Sequence, residues 1–95
     1  MTLPSIDREF EGRTAFVVGG SSGIGLASAT LLADRGANVA IIGHAEDTLA
    51  IAEQLSADGK RRVIGFHCDA SQADFVSSAI AGTVAQFGGL DILMC

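Results

Sequence analysis

The chain has no tryptophan, no tyrosine and only five phenylalanines among its 95 residues. It has a single proline, Pro4, and two cysteines. Cys68 and Cys95 make neither a disulfide framework nor a metal-ligand cluster. Their scarcity fits a reducing, cytoplasmic setting. Basic residues are also few, with 6 Lys and Arg against 11 Asp and Glu, for a net charge of −5. The run Lys60-Arg61-Arg62 reads as a solvated turn before a strand, so no nucleic-acid partner is expected. No apolar run approaches the roughly 20 residues that cross a bilayer, and no membrane partner is expected. Near the N-terminus, Asp7, Arg8, Glu9 and Glu11 stand where a secretory signal would need an apolar core.

What remains is an Ala/Val/Ile/Leu/Gly chain, 48% hydrophobic, with 12 glycines. That composition suits α/β packing in at most one domain. Met1 to Arg13 reads as a lead-in, with Phe10 packing on the domain. Ala15-Phe16-Val17-Val18 is a continuous apolar run, as in a strand covered on both faces. A helix follows from Ile24 to Arg35, with Ile24, Ala27, Leu31 and Leu32 expected on its apolar face and Gly36 just past its end. Val39 to Ile42 gives a second strand. Glu46 and Asp47 favour the start of a second helix, with Leu49, Ala52 and Leu55 as its stripe. Val63 to His67 gives a third strand. Ser71-Gln72-Ala73-Asp74 matches a capping box, and Val76, Ile80, Val84 and Phe87 keep helical spacing until Gly88-Gly89. Leu90 to Cys95 begins a fourth apolar strand. The order βαβαβαβ predicts an α/β fold: a doubly wound parallel sheet, strand order 3-2-1-4, right-handed crossovers, and helices on both faces in three α/β/α layers.

The stretch that carries chemistry is Val17-Val18-Gly19-Gly20-Ser21-Ser22-Gly23-Ile24-Gly25, between the first strand and the first helix. A strand, a glycine-rich turn and a helix present free N–H groups to an anion at the positive end of the helix dipole. Gly19 suits the tight turn, Gly23 the close approach of a diphosphate, and Gly25 the packing of helix on sheet. The spacing is G-x-x-x-G-x-G rather than the general G-x-G-x-x-G. The plainer alternative is an ordinary Gly/Ser turn, with Ser21 and Ser22 bonded locally.

The chain stops in or just after the fourth strand. In this strand order that strand would be an unprotected apolar edge. The expectation is therefore the first part of a longer protein, or an edge covered by a partner or a second copy.

The sequence resembles the N-terminal half of the short-chain dehydrogenase/reductase family, from about Phe10 to Cys95. Gly19-Gly20-Ser21-Ser22-Gly23-Ile24-Gly25 is similar to the family's T-G-x-x-x-G-I-G cofactor loop. Cys68-Asp69-Ala70-Ser71 is similar to its adenine-holding aspartate after the third strand. Leu90-Asp91-Ile92-Leu93-Met94-Cys95 looks like its D-I-L-V-N strand, cut before the asparagine. Val18 departs from the family's usual threonine, whose hydroxyl helps tie down the loop. The resemblance implies that residues 1–95 are the N-terminal part of a Rossmann-type NAD(P)-binding domain, without the catalytic half. It implies an oxidoreductase that moves a hydride between a nicotinamide and an alcohol or carbonyl substrate, usually a dimer or tetramer when intact.

Carried over residue by residue, the implied cofactor contacts are Gly19, Ser21, Ser22, Gly23, Ile24, Gly25, Gly43, His44, Asp69 and Ala70. Asp69 would accept the exocyclic amine of adenine; its alternative is a cap for the third helix, which Ser71 already supplies. At the end of the second strand an acid would bind the ribose 2′-OH and repel a 2′-phosphate. Ile42-Gly43-His44-Ala45 has none. His44 stands where an arginine is frequent, and Ser22 where NADP-preferring members often carry a base, so NADP(H) is favoured over NAD(H). His67 reads as structural. The family's catalytic serine and Tyr-x-x-x-Lys pair have no counterpart here, since the chain holds no tyrosine. No catalytic residue and no metal ligand is assigned. The alternative function is a non-catalytic dinucleotide-binding or interaction protein made of the half-fold alone.

Overall fold

The computed structural model describes residues 10–19, 23–43, 47–57, 59, 62–67 and 73–94. Four strands and three helices alternate: β1 (Thr14–Val18), α1 (Gly23–Asp34), β2 (Asn38–Gly43), α2 (Thr48–Ser56), β3 (Arg62–His67), α3 (Ala73–Phe87) and β4 (Ile92–Met94). The four strands form one sheet in the order β3-β2-β1-β4, and every pairing is parallel. The order expected from the sequence is the order observed.

β1 and β2 are the central strands, and their continuous apolar runs follow from burial on both faces. Ala15, Val17, Val39 and Ile41 point to one face, where they meet Ala29, Leu32 and Ala33 of α1 and Ala52 of α2. Phe16, Ala40 and Ile42 point to the other, where they meet Ala79 of α3 with Val76 and Ile80 alongside. The layers are therefore α1 and α2, the sheet, then α3.

The helix faces match the expected stripes in part: Leu32, Ala52, Leu55, Val76 and Ile80 pack on the sheet, while Leu49 of α2 is exposed. On α1, Ile24 and Leu31 are 86% and 52% exposed, and the buried residues are Ala29, Leu32 and Ala33. On α3, Val84 is exposed, while Ala79 and Thr83 are buried. Small side chains, Ala29 and Ala33 on α1 and Ala79 on α3, share the contact positions with Leu32, Val76 and Ile80 and let the helix axes lie close to a sheet already filled by Phe16, Ile41 and Ile42. The Thr83 hydroxyl is satisfied within its own helix, donating to the Ala79 carbonyl at 2.8 Å.

α1 closes as the sequence indicates. Gly36 takes φ +97°, its N–H bonds the Ala33 carbonyl at 3.1 Å, and the Ala37 N–H bonds the Leu32 carbonyl at 3.0 Å. That paired arrangement meets the last carbonyls of the helix. Phe10 packs against the α1–α2 side of the core, and its N–H bonds the Arg35 carbonyl at 2.9 Å. Among the described residues no helix is long and apolar enough to cross a membrane.

Candidate functional site

The glycine turn leaves the carboxyl end of β1, the inner strand whose neighbours are β2 and β4. Gly19 has φ +76°, and its N–H donates to the Ile42 carbonyl at 2.7 Å. The start of the turn is thus tied to the carboxyl end of β2. Gly23 has φ +59° and begins α1. Among the described residues, a Cβ at either glycine would meet nothing within 4 Å. The requirement at both is a left-handed backbone.

Beyond Gly23, Ile24 and Gly25 complete the first residues of α1. Among the described residues, Ile24 is the most exposed of the large apolar side chains. No acidic residue lies in the first turn of α1, so its positive end is not neutralised by its own side chains. The first turn of α3, by contrast, carries Asp74.

Gly43 is the buried last residue of β2 and lies in register with His67, the last residue of β3. His67 is exposed there, at the same end of the sheet as Gly19. Phe66 and His67 line a shallow hollow with Phe75, Ser78 and Ala79 of α3. The carboxyl ends of β1, β2 and β3 thereby bring Gly19, Gly23, Ile24, Gly25 and Gly43 to one side of the molecule. Ser21, Ser22, His44, Asp69 and Ala70 lie outside the described residues. Among the described residues no cluster of three metal-ligating side chains occurs.

One feature of the strand beside the turn escaped the sequence reading. Asp91, just before β4, accepts the Thr14 N–H through Oδ2 at 2.9 Å, and its own N–H donates to the Thr14 carbonyl at 2.9 Å. An acid directly ahead of an apolar run, after Gly88-Gly89, was the available signal.

A parallel sheet in the order 3-2-1-4, with helices on both faces and a glycine turn between β1 and α1, is a Rossmann-type doubly wound fold. Residues 13–95 match the family model described as short chain dehydrogenase, and the chain belongs to that family. It is 42% identical over 94 residues to D-threitol dehydrogenase of Mycolicibacterium smegmatis, covering 95% of this chain and 35% of that protein. It is 38% identical over 91 residues to secoisolariciresinol dehydrogenase of Forsythia intermedia, covering 96% of this chain and 32% of that one. Among solved structures, L-sorbose reductase from Gluconobacter frateurii, complexed with NADPH and L-sorbose, superposes with a TM-score of 0.81. Identity there is 33%, over 92% of this chain and 34% of the reductase. A citronellol catabolism dehydrogenase of Pseudomonas aeruginosa gives a TM-score of 0.80 at 32% identity, over 98% of this chain and 38% of that one. The chain thus spans about a third of the length of the curated relatives it matches.

Proposed function

We propose that this chain supplies the dinucleotide-binding half of an NAD(P)-dependent oxidoreductase acting on an alcohol or carbonyl substrate. The observation that carries the reading is the turn itself. Gly19 and Gly23 hold left-handed backbone, and the α1 terminus they introduce has no acid in its first turn. Such a terminus attracts an anionic diphosphate.

In this reading the first-turn amides of α1, at Gly23, Ile24 and Gly25, donate to the diphosphate. Gly19 shapes the turn, and Ser21 and Ser22 add hydroxyl donors. Gly43 and His44 flank the adenosine ribose. Asp69 accepts the adenine amine, with Ala70 beside it. The absence of an acid at residues 43–45 removes repulsion of a 2′-phosphate, so NADP(H) is preferred over NAD(H). When bound, the nicotinamide supplies or accepts the hydride. No group that exchanges the substrate proton is assigned in this chain, which contains no tyrosine. A relative complexed with NADPH supports the cofactor class. The same reading carries a cytoplasmic setting and a homo-oligomeric intact protein.

Calorimetric titration of the intact protein with NADPH and NADH tests the proposal. Saturable binding, tighter for NADPH, is expected. Silence from both would rule the reading out.

A further inference from the structure

Gly82 stands in the interior of α3, where a glycine weakens a helix relative to alanine. Packing accounts for it. Ala79 and Thr83, on the same side of the helix, are buried. A Cβ on Gly82 would lie 3.0 Å from both Cε1 and Cζ of Phe66. α3 therefore rests on the outer end of the Phe66 ring at a position that has no side chain.

Phe66 is the next-to-last residue of β3, in register with Ile42 of β2. The Ile42 carbonyl accepts the Gly19 N–H at 2.7 Å. The ring thus stands at the level where the glycine turn leaves the sheet. β3 ends at His67 and α3 begins at Ala73. Residues 68–72 join the two, and Asp69 and Ala70 are among them. The seat of Gly82 on Phe66 sets how α3 stands over the end of β3, and so sets the two points that this segment connects. We propose that Gly82 is a positioning residue for the adenine end of the dinucleotide site. By seating α3 on the Phe66 ring it fixes the span that carries Asp69. A methyl at position 82 lifts α3 or displaces the ring, and the span moves with them. This rests on the dinucleotide reading above.

The test titrates the intact protein calorimetrically with NADPH and with its hypoxanthine analogue, in which a carbonyl oxygen replaces the exocyclic amine of adenine. Wild type prefers NADPH, because Asp69 accepts from that amine. Gly82→Ala weakens NADPH about fivefold or more, and the analogue by no more than about twofold, below the usual range of coupling between sites. Phe66→Leu removes the ring atoms on which α3 rests and has the same selective effect. Combining Phe66→Leu with Gly82→Ala conserves volume, and NADPH affinity returns to within about twofold of wild type. Equal loss for both ligands would overturn the proposal, as would losses that simply add in the double variant. A Gly82→Ala protein with a higher melting temperature, as helix propensity alone predicts, and unchanged NADPH affinity would overturn it too. Should Gly82→Ala not fold, Phe66→Leu and the double variant carry the same comparison. A wild type that binds neither ligand sinks the functional reading itself, and one that binds both equally sinks the role of Asp69; both are seen before any variant is compared.

Discussion

The Cβ that Gly65 lacks would fall 2.9 Å from the Cβ of Ala52. β3 and α2 touch at this point, with the Thr48 carbonyl 3.2 Å from the same position. Gly65→Ala must push α2 off the sheet or bend β3. Overpacking of this kind costs about 1–3 kcal/mol. Denaturant unfolding of the intact protein is expected to show a lower midpoint; an unchanged midpoint would mean that α2 is free to shift.

Gly36 combines two constraints. Its φ is +97°, and an added Cβ would lie 3.1 Å from Glu11 Cα. Gly36→Ala is expected to destabilise by about 1–3 kcal/mol. Gly88 has a similar φ of +88° but open space around it, so Gly88→Ala should cost less. Equal shifts in melting temperature for the two variants would remove the contact with Glu11 from the account.

These two glycines mark how far the sequence could be read. Element order and strand order follow from apolar runs alternating with helical spacing, and Gly36 was legible as a helix end. Gly65 was not, because a glycine inside a strand announces a close approach without naming its partner. The α1 stripe misled for a related reason. Periodicity counts Ile24 and Leu31 as apolar, while the sheet below has room for Ala29 and Ala33. The glycine turn was legible from its place between strand and helix. The Thr14–Asp91 bond spans 77 positions, and the acid ahead of the fourth apolar run marked only one of its two ends.

In the proposed reading, cofactor choice rests on the residues after Gly43. His44→Arg should raise the preference for NADPH, since a guanidinium is always charged and an imidazole is mostly neutral at pH 7. His44→Asp should favour NADH by accepting the ribose 2′-OH and repelling a 2′-phosphate. A change of about tenfold in the ratio of dissociation constants, or ~1.4 kcal/mol, is the expected scale. Ratios that do not move in either variant would take His44 out of the site.

Asp69→Ala should weaken dinucleotide binding by about 1–3 kcal/mol through loss of a charged hydrogen bond to adenine. The decisive comparison is with a ligand that lacks the base. Binding of nicotinamide mononucleotide should be unaffected, and equal loss for both ligands would contradict the adenine role.

The central claim is that the first-turn amides of α1 grip a diphosphate. Amide chemical shifts of the intact, isotope-labelled protein, followed as NADPH is added, test it most directly. The account predicts the largest changes at Gly19, Gly23, Ile24 and Gly25. Changes confined to the opposite end of the sheet, in the recess lined by Glu11, Gly36, Asn38 and Arg62, would contradict it.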